Sequence, residues 1–126
     1  MKIALTSVSV PDPVAAFKFY TEVLGFKEKV CMPEMRLMIV VSPDDEQGTA
    51  LLLEPNDHPG TKAYFKELYD SGIPVIVFST ADIQAEFERL KALGVEFHGE
   101  PSKTPHGTIV KFDDTCGNFI QLHQPL

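Results

Sequence analysis

The side chains with the chemistry to react or bind are few and scattered. The 126-residue chain holds four histidines (His58, His98, His106 and His123) and two cysteines (Cys31 and Cys116). Metal centres made of such residues use short, repeated spacings, and neither the cysteines nor the histidines show one. His58 precedes Pro59, His98 precedes Gly99 and His106 follows Pro105, so these three read as solvated residues in loops or at strand ends. There is no Gly-x-Ser-x-Gly elbow, no His-Glu-x-x-His pair and no glycine-rich phosphate loop. Neither cysteine has a local signature that would activate its thiol. Both read as reduced, small apolar residues of a cytoplasmic protein.

Composition narrows the function further. The length suits one domain over residues 1–126, with a core large enough to need no disulfide or metal staple. The formal net charge is −7, which repels phosphate backbones and anionic lipid surfaces, so neither nucleic acid nor membrane is expected as a partner. No apolar run is long enough to span a bilayer. The first residues, Met1-Lys2-Ile3-Ala4-Leu5, run into Thr6-Ser7 without the long apolar stretch of a signal peptide.

Elements that would position a site follow from periodicity. Ile3 to Val10 reads as a strand, ended by Pro11-Asp12-Pro13. Asp12 suits a helix cap with Pro13 at the first helical position. Val14, Phe17, Tyr20 and Val23-Leu24 then recur at helical spacing up to Gly25. Strands are expected from Phe26 to Met32, Arg36 to Ser42 and Thr49 to Glu54. A loop and a short helix, Thr61 to Tyr69, follow. The pattern then returns: a strand Val75 to Ser79, a helix from Asp82 through Leu93, and Gly94. Strands are expected at Val95–His98, Thr108–Phe112 and Phe119–His123, with a loop from 99 to 105. Asp12 and Asp82 lie 70 residues apart, and Gly25 and Gly94 lie 69 apart. This near-constant offset predicts one unit used twice: module one over about 1–55, a linker with a short helix over about 56–73, and module two over about 74–126.

The ordered pieces carry a family resemblance. Val8 to Asp12 followed by Phe19 to Phe26 is similar to the first module of the vicinal-oxygen-chelate superfamily, the glyoxalase, bleomycin-resistance and extradiol-dioxygenase fold. Phe78 to Asp82 followed by Leu90 to Val95 resembles its second module, and Phe112 to Leu122 its closing turn and strand. The resemblance spans nearly the whole chain. It implies an α+β fold in which two βαβββ modules form a curved, cup-like mixed β-sheet with flanking helices. It also implies a cavity whose floor usually holds one divalent metal on His, Glu or Gln side chains.

The positions matching those ligands are Leu5, Leu52, Val75 and Gln121. Three are aliphatic and have no lone pair to donate, and one neutral amide does not hold a divalent ion against water. No metal or other cofactor is therefore expected. Residues two apart on a strand share a face, so Glu54 and His123 would lie about 7 Å beyond Leu52 and Gln121. They are the candidates for a displaced metal site or a general base. Alternation from the four matched positions gives the expected cavity lining: Leu5, Ser7, Arg36, Met38, Leu52, Val75, Val77, Phe112, Gln121 and His123. Arg36 at the mouth would suit a carboxylate or other oxyanion.

Three functions fit this sequence. The preferred one is a metal-independent, bleomycin-resistance-like protein that binds a small molecule in its cup. The alternatives are a glyoxalase-like lyase, isomerase or dioxygenase, and an interaction module whose cup is filled by its own side chains. Fold alone does not choose between them. The ligand stays open among phosphate, glutathione and aromatic antibiotics. The resemblance further implies a homodimer, with modules paired within one chain or exchanged between two.

Overall fold

Two aspartates start the helices that follow the two leading strands. Asp12 Oδ1 accepts from the Val14 and Ala15 backbone N–H groups at 3.0 and 3.3 Å, and Pro13 opens the helix α1 (Pro13–Lys18). Asp82 Oδ1 accepts from Ala85 N–H at 3.0 Å and starts a second helix, Ile83–Ala92. Such caps satisfy donors that a helix leaves unpaired at its first turn. In full, the computed structural model describes residues 1–126 as β1 (Leu5–Val10), α1, β2 (Lys27–Met32), β3 (Leu37–Val41), β4 (Ala50–Pro55), α2 (Pro59–Asp70), β5 (Ile76–Ser79), α3 (Ile83–Ala92), β6 (Phe97–Thr104), β7 (Gly107–Asp113) and β8 (Phe119–Pro125).

The chain forms two compact units, Met1–Tyr64 and Phe65–Leu126. In the first, a four-stranded sheet has the order β1-β4-β3-β2; in the second, the order β5-β8-β7-β6 is the same arrangement repeated. The leading strand of each unit pairs in parallel with the last one, and the other pairs are antiparallel. Both sheets are therefore mixed, as the α+β reading with two βαβββ modules requires, and neither closes on itself.

Each sheet has one face under a helix. In the first unit Val8, Val10, Met38, Val40, Leu51 and Leu53 are buried with Ala16 and Tyr20, and α1 packs on β3 and β4. In the second, Val110, Phe112, Ile120 and Leu122 are buried with Ile83, Phe87 and Leu90 of α3. Burying each such side chain contributes about 1.5–3 kcal/mol, so these two faces supply most of the stability.

Three elements differ from the sequence reading. The helix expected to run to Leu24 is α1 followed by a π-helical turn, Phe19–Val23, in which Leu24 N–H reaches back to Phe19 O. The wider turn seats Tyr20, fully buried, between the rings of Phe19 and Phe26. β6 runs on to Thr104 through Gly99 and Pro101, where a loop is expected. It is an edge strand with irregular pairing between His98 and Ser102, so a proline there breaks no ladder and glycine takes the bend at φ +89°. β3 begins at Leu37, because Arg36 adopts a left-handed conformation at φ +51° that ends a 3₁₀ turn over Pro33–Met35.

Candidate functional site

Register decides which side chains share a face. In the first unit Ser7 pairs with Leu52 and Leu52 with Ile39, so Leu5, Ser7, Ile39 and Leu52 stand on the face opposite the helix. Burial agrees: Leu52 and Ile39 are half-buried, Ser7 is exposed, and Leu5 retains 46% of its surface. Glu54 lies further along the same face, opposite Ser9, and is exposed. In the second unit Val77 pairs with Gln121 and Gln121 with Lys111. His123 pairs with Ser79 and Ile109. Val77 retains 53% of its surface. Val75 precedes β5 and donates its N–H to Phe119 O.

Met38 and Phe112, expected in the lining, point the other way. Met38 is one residue out of step with Ile39, the register partner of Leu52, and Phe112 one out of step with Lys111, the partner of Gln121. Both are about 1% exposed beneath the helices. A one-residue shift moves a side chain to the opposite face, and alternation within a strand does not by itself fix register across strands. Arg36 lies outside the sheet. Its guanidinium donates to both carboxylate oxygens of Asp57, at 2.5 and 3.3 Å, and to the Pro11 carbonyl. This pair neutralises the charge expected to meet an oxyanion.

Four side chains were not foreseen: Ile39, Lys111, Phe119 and Tyr69. Phe119 stands two residues before Gln121 and was legible from alternation alone. Its ring is stacked on Tyr69 with centroids 4.6 Å apart and met edge-on by His98 at 4.5 Å. Lys111 Nζ lies 5.0 Å from the Phe119 ring centroid and donates to Gly72 O at 2.6 Å. Tyr69 arrives from the end of α2, and nothing in its local sequence announces that contact. Its hydroxyl donates to Asp113 Oδ2 at 2.5 Å. That hydrogen bond, with burial and the negative charges of Asp113, Glu96 and Asp114, pushes the phenol up to about 12. Beside this pair a cavity of about 370 Å³ is lined by Tyr69, Gly94, Glu96, Asp113, Thr115 and Gly117.

No three His, Cys, Asp or Glu side chains come together, and the positions where the resemblance places ligands are Leu5, Leu52, Val75 and Gln121. His123 is already engaged through Nε2 with the His106 carbonyl at 3.1 Å.

The model of the Glyoxalase/Bleomycin resistance protein/Dioxygenase superfamily matches residues 2–122. The chain belongs to this superfamily. It is 53% identical over 126 residues to the uncharacterized protein YurT of Bacillus subtilis (strain 168), covering 98% of this chain and 99% of YurT. Among solved structures it resembles UcmS2, with 32% identity, a TM-score of 0.80, and 98% and 97% of the two chains covered. TnmS3, an antibiotic binding protein from Streptomyces sp. CB03234, matches with 28% identity and a TM-score of 0.76, over 100% of this chain and 97% of that one. No helix is long and apolar enough to cross a membrane.

Proposed function

We propose that this superfamily member is a metal-independent small-molecule-binding protein whose ligand lies on the helix-free faces of its sheets. The observation that carries this reading is the division of labour between faces. Each sheet buries one face under its helix and leaves most of the other half-buried or exposed, Leu5 and Val77 among those side chains, while Ser9 and Phe119 are covered there, Phe119 by Tyr69 of α2. Large uncovered apolar groups mark binding surfaces. The first unit offers aliphatic contact through Leu5, Ile39 and Leu52. The second, taken by itself, offers hydrogen-bonding groups, Gln121 and His123, beside Val77. Apolar walls with a few polar groups suit an organic ligand of modest size. The similarity to TnmS3, described as an antibiotic binding protein, supports the same reading. A second copy covering the same apolar residues fits a homodimer.

The test is a thermal-shift screen of planar organic compounds on the wild type and on Val77→Glu. A ligand that binds the native state raises Tm with concentration. The expected result is a compound that stabilises the wild type and does not stabilise Val77→Glu. Metal analysis after incubation with zinc, nickel, manganese and iron should find a small fraction of an equivalent. One equivalent per chain, lost in Glu54→Ala or His123→Ala, overturns the metal-independent reading.

A further inference from the structure

His123 is held differently from the other polar groups on the helix-free faces. Its Nε2 lies 3.1 Å from the carbonyl oxygen of His106. A carbonyl only accepts, so Nε2 is the nitrogen that carries hydrogen. The turn that carries this carbonyl is closed by Thr104, whose Oγ1 accepts from His106 N–H at 3.2 Å and donates to Gly107 O at 2.7 Å. Gly107 leaves room for the ring. It sits at φ +134°, and a Cβ there would lie 2.8 Å from His123 Nε2 and 2.2 Å from Gln124 O. Only glycine combines that backbone conformation with so close an approach.

From this geometry we infer that His123 is locked as the Nε2–H tautomer, and that its bare Nδ1 is the hydrogen-bond acceptor that selects ligands carrying an O–H or N–H on an apolar body. The second half rests on the small-molecule reading above. A neutral imidazole that donates through one nitrogen presents a lone pair on the other. Nothing in the protein occupies Nδ1. The register neighbours of His123 on this face are Ser79 and Ile109, with Val77 and Gln121 alongside. His123 thus stands among two apolar side chains, Val77 and Ile109, and two polar ones, Ser79 and Gln121. A phenolic or heteroaromatic N–H ligand would satisfy Nδ1, and an ether or carbonyl at the same place would set lone pair against lone pair.

The tautomer is read first, by long-range ¹H–¹⁵N NMR of the imidazole in the wild type across a range of pH. A pyrrole-type Nε2 and a pyridine-type Nδ1 are expected, and the reverse assignment overturns the proposal. Phenol and anisole are then titrated as probes that share a ring and differ in the donor. Phenol should bind about fivefold to tenfold more tightly, the worth of one hydrogen bond, and should shift the Nδ1 resonance. In His123→Phe the preference should vanish while anisole still binds. Equal affinity of both probes for the wild type, with shifts on either sheet face but none at His123, overturns the role of His123 and leaves the small-molecule reading standing. No shift on either face with either probe overturns both.

Discussion

The two units are the same device with two different working faces. Both start a helix with a capping aspartate after the leading strand, both order their strands alike, and both bury aliphatic and aromatic side chains under that helix. On the opposite face the repeat is kept in position and lost in chemistry. Ser7, Leu52, Ile39 and Glu54 of the first unit stand where Val77, Gln121, Lys111 and His123 stand in the second. The covered face must pack, which restricts it to apolar residues that fill space. The other face is freer of that demand and carries different chemistry, mainly apolar side chains in the first unit and polar and aromatic ones in the second.

The largest effects should come from the covered faces, where the units ought to behave alike. Leu53→Ala and Leu122→Ala remove equivalent leucines, 0% and 6% exposed. Each should cost about 2–5 kcal/mol in urea unfolding. A loss in only one unit would mean that the two cores are not equivalent.

The turns after β3 and β7 should differ sharply. Asp114 is fully buried. Its Oδ1 accepts from Cys116 and Asn118 N–H groups at 2.8 and 3.0 Å, and its Oδ2 from the Asn118 amide at 3.0 Å. Asp114→Ala strands buried donors and should cost about 3 kcal/mol. Asp45→Ala, in the exposed turn of the first unit, should change stability by less than about 0.5 kcal/mol.

Tyr69 ties α2 to the second unit and should give that tie a pH signature. The folded phenol titrates near 12, above its ordinary 10.0, so the native state holds its proton more tightly than the unfolded chain. The contribution is therefore complete below pH 10 and is lost as pH rises toward 12. Tyr69→Phe should cost about 1 kcal/mol at neutral pH and flatten the alkaline slope in unfolding measured from pH 9 to 12.

A small effect should also come at Arg36–Asp57, an exposed pair in the first unit. Arg36→Ala should change stability by under about 1 kcal/mol, and added salt should leave even less of it. A larger loss would show that the pair holds the left-handed turn in place.

Much of this was legible in the sequence for definite reasons. Asp12 with Pro13, Asp82, Gly25 and Gly94 punctuate the two helices through local backbone chemistry, and the constant offset between them reveals the repeat. Leu5, Ser7, Leu52, Val77, Gln121 and His123 follow from alternation once one residue per strand is anchored. Met38 and Phe112 went astray because cross-strand register is set by tertiary pairing. Arg36 reads as part of a strand, yet Asp57, far away in sequence, captures it in a turn. Tyr69 on Phe119 is invisible for the same reason: the contact joins a linker helix to a distant strand.

The central claim is that the ligand lies on the helix-free faces, and amide chemical-shift mapping with the most stabilising compound from the thermal screen tests it most directly. Perturbations are expected on the helix-free face of a unit, at Leu5, Ser7, Ile39 and Leu52 or at Val77, Gln121 and His123, with the residues packed under α1 and α3 unmoved. Shifts centred on those helices would contradict it.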